Sequence, residues 1–177
     1  IAMMSFTIGV TGFWFYLERI GHAQHVPAAM IGVAVGATAL ISIPGSMLAT
    51  WLSRWFRGVH FVLIGSTLIV SGYVLVSLAQ STSFLSGSLI FAFGWGIAQP
   101  GYWAMATDRD PTGRLFVLSP ALSGLAAALT GLIAGPIIAA SGYNGLMISS
   151  GVFIAVGASL ALAALKRGRQ KNSGGSE

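Results

Sequence analysis

The chain has 177 residues, of which 7% are charged and 55% hydrophobic, with a formal net charge of +5 and a mean hydropathy of +0.81. An ordinary soluble domain carries roughly 25% charged residues, so this composition excludes a water-soluble globular protein and points to one that faces hydrocarbon. Cysteine is absent, which removes a disulfide framework and any thiolate metal site.

Taken in chain order, the uncharged apolar runs are Ile1 to Leu17, incomplete, then Pro27 to Leu52, Val59 to Ala79, Phe84 to Ala106, Leu115 to Ala140 and Tyr143 to Leu165. The last five each match the roughly 20 residues that a helix needs to cross a ~30 Å hydrocarbon core. Barrel strands would be about ten residues of alternating polarity, whereas these runs are longer, continuously apolar and rich in Ala, Leu and Gly. The expected fold is all-α: a polytopic transmembrane helical bundle of six spans over residues 1–165, followed by a basic, flexible cytoplasmic tail at 166–177. Ile1 opens in the middle of an apolar run with no basic flank or cleavage site, so the first span is read as cut short and the chain as part of something longer.

The first span aligns Thr7, Thr11, Trp14 and Glu18 on one stripe at steps of four, three and four. Glu18 is the one carboxyl near a span, which makes it the candidate coupling group; beside Arg19, it is expected to form an interfacial pair. His22 and His25 follow without an acidic or cysteine partner, so no metal site is expected. The second span offers Thr38 and Ser42, and Gly32 and Gly36 lie one turn apart as an expected packing seam. Ser71 and Tyr73 of the third span show less lateral order. The fourth holds the richest stripe, Ser88, Trp95, Gln99 and Tyr102 or Trp103, with Pro100 freeing a backbone carbonyl. After it, "ATDRDPTGRL" gathers Asp108, Arg109, Asp110 and Arg114, and Asp110 before Pro111 suits an N-cap with proline at the first helical position. The fifth span contributes Ser119, Ser123 and Thr130, with Gly131 and Gly135 as a second seam, and the sixth contributes Ser149, Ser150 and Ser159.

Spans one, two, four and five are therefore expected to line a cavity, and three and six to support them. Trp14, Thr38, Ser42, Trp95, Gln99, Tyr102, Trp103 and Ser123 are its expected substrate contacts, because polar groups inside lipid belong in a wet interior. No nucleophile and base pair, phosphate loop or metal-binding helix motif is present, so neither catalysis nor a cofactor is expected. Of nine Lys and Arg, eight fall in the connections after spans two and four and in the tail, against Arg19 alone on the other face. That bias assigns the tail and those connections to the cytoplasm and explains the basic charge without nucleic acid. Pro27 with Pro44-Gly45 in span two echoes Pro120 with Gly135-Pro136 in span five, pairing spans one to three with four to six as inverted repeats.

The segment "GSMLATWLSRWFRG" at the inner end of span two resembles a degenerate copy of the cytoplasmic signature of the major facilitator superfamily, with Arg54 and Arg57 at its basic positions and Ser53 where the family has aspartate. Together with "WFYLERIG", "DPTGR" and "AGPIIAASG", the chain is similar over nearly its whole length to the C-terminal six-helix half of a bacterial transporter of that superfamily. The resemblance implies a secondary transporter of a small solute working by alternating access in the bacterial inner membrane, with a further N-terminal six-helix half as partner. It also implies a cytoplasmic gate in which Asp108 or Asp110 replaces the missing aspartate as partner to Arg54 or Arg57. The alternative reading is a six-helix scaffold or sensor that transports nothing.

Overall fold

The computed structural model describes residues 1–108, 110 and 112–173, with side chains as far as Leu165. All regular structure among these residues is helical: α1 (Ala2–Trp14), α2 (Leu17–Ala23), α3 (Ala28–Leu52), α4 (Gly58–Ser77), α5 (Ser81–Thr107) and α6 (Arg114–Ser173). Four of them, α3 to α6, are long and apolar enough to cross a membrane. The backbone of α6 runs on to Ser173, so the stretch expected as a flexible tail begins as helix.

The 60 residues of α6 would extend about 90 Å if straight, three times the hydrocarbon thickness. They are not straight. Gly142 adopts φ 65 and ψ −167, a backbone conformation that a Cβ disfavours, and the chain reverses there. Gly12 of α1 abuts both Thr130 and Ser150, which a straight helix would hold about 30 Å apart. Leu115 and Ala161 likewise border one hollow beside Ile1. The stretches 114–141 and 143–173 therefore lie antiparallel, α1 packed against both.

At the amino end, α1 stops at Trp14 without a proline or glycine at the break. Tyr16 leaves the helical region at φ −110 and ψ 3, and α2 restarts at Leu17. Leu17 and Ile20 are buried, so the short α2 is held by its apolar face, and Gln24 Nε2 donates to Val76 O at 2.9 Å to tie the following loop to α4.

The closest packing is between α4 and α5. Gly58, Gly65 and Gly72 on one helix face Gly101, Gly94 and Gly87 on the other, in antiparallel register. A methyl group built on Gly65 would sit 2.5 Å from Gly94 O, and one on Gly94 would sit 2.8 Å from Gly65 O. The outer pairs are equally reciprocal, 2.8 and 2.7 Å for Gly58 with Gly101, and 2.6 and 2.7 Å for Gly72 with Gly87. Backbone thus touches backbone along two full heptads, the spacing that keeps one face of each helix on its neighbour when they cross at a shallow angle. α1 meets the second stretch of α6 in the same manner: Gly9 lies against Ser150 O, Gly157 against Ala2 O, and Ser5 Oγ donates to Phe153 O at 2.7 Å. α3 rests on α5, where Gly45 abuts Phe93 O and Ser46 Oγ donates to Gly96 O at 3.1 Å.

This corrects the seams expected from sequence. Gly32, Gly36, Gly131 and Gly135 have nothing within 4 Å of where a Cβ would stand. Their one-turn spacing describes a smooth helix face, and in this fold those faces of α3 and α6 point out of the bundle, beside exposed Val33, Leu40 and Leu132.

The two glycine classes give opposite expectations for alanine. Gly65→Ala or Gly94→Ala drives a methyl into a carbonyl and is expected to destabilise by about 1–3 kcal/mol, lowering the thermal midpoint of the detergent-solubilised protein. Gly32→Ala and Gly36→Ala are expected to be neutral or slightly stabilising, because helix propensity favours alanine by up to about 1 kcal/mol. Equal losses at all four positions would mean that the α4 and α5 backbones are not in contact.

Candidate functional site

α1, α5 and the first stretch of α6 enclose a cavity of about 300 Å³. From α1 it receives Phe6, Thr7, Val10 and Thr11; from α5, Trp95, Gln99 and Tyr102; from α6, Ser123, Gly124 and Ala127. On α5 the spacing of four and three residues between Trp95, Gln99 and Tyr102 holds all three on one face. The face about 100° around that helix is occupied by the glycine contact with α4, which fixes the rotation of the stripe.

Aromatic rings form much of the wall. Phe6 and Tyr102 pack at 4.6 Å between centroids, and Trp95 stacks on Phe91 at 6.3 Å. Below, Phe91 meets the fully buried Phe13 at 4.8 Å, and Phe13 meets Tyr73 at 4.6 Å, so the wall continues into the core. Tyr73 Oη donates to Gly9 O at 3.0 Å and links α4 to α1 across this layer.

Polar contacts close one end. Thr11 Oγ1 lies 2.8 Å from Thr130 Oγ1, while Thr11 also approaches Thr7 O at 2.7 Å and Thr130 approaches Ala126 O at 2.9 Å. Two hydroxyls bring only two protons to three contacts, so one contact is always without its hydrogen. With both protons engaged in these contacts, its free lone pairs are what the pair offers to its surroundings. Among the described residues the Gln99 amide has no protein partner, which leaves it available to a ligand.

Of the expected substrate contacts, Trp95, Gln99, Tyr102 and Ser123 come together in the cavity; Trp14 does not line it, although its ring lies 6.4 Å from that of Trp95. Nor do three others. Thr38 is 1% exposed and donates to Val35 O at 2.6 Å inside the α3 packing. Ser42 donates to Ala39 O at 2.8 Å, its own carbonyl lying against Gly96. Trp103 lies about 100° around α5 from Tyr102, 37% exposed, with its ring edge-on to Phe116. α3 therefore adds no residue to this cavity, because α5 stands between. A search for polar stripes also passes over Met3, Phe6 and Val10, the apolar residues that adjoin Thr7 and Thr11 and supply most of the α1 wall.

No charged side chain lines the cavity. The break after Trp14 takes Glu18 off the α1 stripe and places it on α2, 73% exposed and 3.8 Å from His22 Nε2. Arg19, its expected partner, instead lies over the Tyr16 ring at 5.7 Å. The Glu18–His22 contact is the only approach of a carboxylate to a basic side chain within 4 Å among the described residues, so Asp108 and Asp110 do not meet Arg54 or Arg57. Asp108 terminates α5. Asp110 turns toward its own chain: Oδ1 accepts from Thr112 N at 3.0 Å and from the Thr112 hydroxyl, and Oδ2 accepts from Leu115 N at 2.8 Å. It does cap the next helix, but that helix starts at Arg114 after Gly113 at φ 73, later than expected. Arg109 and Pro111 lie outside the described residues.

Comparison of the chain with family models, with curated proteins and with solved structures finds no match.

The Asp110 cap has a pH signature. The Thr112 hydroxyl, then the Leu115 N–H, hold the Asp110 carboxyl below its ordinary value. A depressed carboxylate stabilises the fold above the ordinary carboxylate range and stops doing so as pH falls through its lowered value. Asp110→Asn is expected to flatten the acid limb of thermal stability measured between about pH 7 and about pH 3. An unaltered acid limb in the variant would show that the cap contributes nothing to it.

Proposed function

We propose that this chain is half of a secondary transporter of the major facilitator type, in which α1, α5 and the first stretch of α6 form one wall of a solute site. The observation that carries the reading is the cavity of about 300 Å³ built from Trp95, Gln99, Tyr102, Ser123 and the Thr7–Thr11 edge of α1. It is concave and mostly apolar with a few convergent polar groups, the character of small-molecule sites. Its chemistry fits an uncharged or weakly charged solute held by ring stacking, by the Gln99 amide and by hydroxyls that either donate or accept. No group there suits catalysis or a metal.

Six membrane passes follow on this reading, with α1 and α2 together as the first and the two stretches of α6 as the fifth and sixth. The packing pattern supports inverted repeats. α4 lies on α5 as α1 lies on the second stretch of α6, α3 lies on α5 as the first stretch of α6 lies on α1, and α4 also touches α6. Exchanging the first three passes for the last three maps this set of contacts onto itself. The cationic connections and the carboxyl terminus are assigned to the cytoplasm of a bacterial inner membrane by the distribution of Lys and Arg. A second six-helix half would complete the cavity and cover the open glycine faces of α3 and α6. Those same faces would serve a scaffold that assembles without transporting, and ligand binding at the α5 stripe separates the two readings.

Two measurements test the proposal. A solute that raises the thermal midpoint of the protein is expected to lose most of that effect in Gln99→Ala and in Trp95→Ala, the latter by at least about tenfold in affinity, since burying a large aromatic side chain contributes about 1.5–3 kcal/mol. Ligand stabilisation that survives both changes would remove the site. The chain has no cysteine, so single cysteines report topology cleanly: an impermeant thiol reagent added to intact cells is expected to label Gln24→Cys and spare Thr112→Cys. The reverse pattern would invert the orientation.

A further inference from the structure

At the end of α3, three exposed side chains form a cluster that the cavity does not use. Trp51 and Trp55 meet edge to face at 4.9 Å, and the Arg54 guanidinium lies 5.4 Å from the first ring and 4.6 Å from the second. Arg54 Nε donates to Trp51 O at 3.0 Å, which anchors the base of the group. The indoles remain 54% and 59% exposed despite these contacts. Arg57 follows at the start of α4.

The charge of this cluster is not neutralised within the described residues. Four Asp and Glu exist in the chain, of which Glu177 lies outside the described residues. Glu18 faces His22, and the Asp110 carboxylate accepts hydrogen bonds from Thr112 and Leu115. Asp108 ends the neighbouring α5 but lies beyond 4 Å of either arginine. Among the other groups packed nearby, His60 sits with its ring 5.9 Å from Phe56 and Nδ1 beside Arg57 O.

We propose that Trp51, Arg54, Trp55 and Arg57 form a headgroup site for an anionic phospholipid. The cluster stands where an apolar 25-residue helix ends, the level at which tryptophans sit in a bilayer and phosphates begin. Contact with both rings and the Nε bond to Trp51 O restrain the guanidinium, and a planar fork of donors matches phosphate oxygens two at a time. Arg57 adds a second positive charge beside it. Charge complementarity therefore selects a phosphate that carries net negative charge over a zwitterionic headgroup. The proposal requires α3 to cross a bilayer and is independent of the transport reading.

Native mass spectrometry of the full chain in neutral detergent, with dioleoyl phosphatidylglycerol or dioleoyl phosphatidylcholine added in turn, tests it. The phosphatidylglycerol adduct is expected to be retained preferentially, and Arg54→Gln and Arg57→Gln are each expected to weaken it roughly fivefold. Arg54→Lys keeps the charge but loses the planar fork and is expected to weaken it several-fold, which provides a milder variant should the glutamine forms fold poorly. Changing Lys166, Arg167, Arg169 and Lys171 to glutamine is expected to leave the preference in place, and excess inorganic phosphate is expected not to displace the lipid. Equal retention of both lipids, retention unchanged in the arginine variants, a preference that follows the tail, or displacement by inorganic phosphate would each overturn the proposal. Ligand binding at Gln99 is untouched by any of these outcomes.

Discussion

The contact on which the bundle depends is backbone against backbone, where six glycines of α4 and α5 bring carbonyl oxygens to the neighbouring Cα atoms. Helices in hydrocarbon gain nothing from hiding apolar surface, so attraction between them rests on close dispersion contact and weak Cα–H···O interactions. Removing every Cβ along one face lets two helices approach closely enough for both. The same contact decides which way α5 is turned: once Gly87, Gly94 and Gly101 face α4, Trp95, Gln99 and Tyr102 can only face α1 and α6. A packing constraint thus positions the chemistry.

Small residues do comparable work on the other side of the cavity. Gly9, Gly12 and Ser5 bring α1 against the second stretch of α6, and Thr11 reaches Thr130 on the first. The wall that faces the cavity is therefore braced from behind by tight helix contact and from within by a layer of aromatic rings. The cavity thus combines a firmly packed wall with a polar edge of mutually bonded hydroxyls.

Apolar runs and helical periodicity made most of this legible before any coordinates. The stripe on α5 could be read because Trp95, Gln99 and Tyr102 are unusual residues at helical spacing, and Tyr102 was inseparable from Trp103 because adjacent positions differ by only one step around the helix. The glycine seams were misassigned for a clear reason. Gly32-x-x-x-Gly36 is compact in sequence, whereas Gly58, Gly65 and Gly72 are spread over two heptads and acquire meaning only opposite their counterparts on another helix. Glu18 was misplaced by extending one helical period through Phe15 and Tyr16, where neither proline nor glycine announces a break. Asp110 was recognised as a cap, but the Thr112 and Gly113 turn that it organises delays the helix to Arg114. The expected pairing of Asp108 or Asp110 with Arg54 or Arg57 does not form, since it depends on the distance between loops rather than on their composition.

The reversal at Gly142 occupies almost no chain. A long connection between the two stretches of α6 would act as slack, letting either tilt while the other stayed still. With a single residue at the bend, the segment bearing Ser123 and Thr130 is tied directly to the segment that packs on α1 through Ser150 and Gly157. The cavity wall on that side and its rear support, where α1 packs on the second stretch of α6, are therefore joined through one residue of backbone.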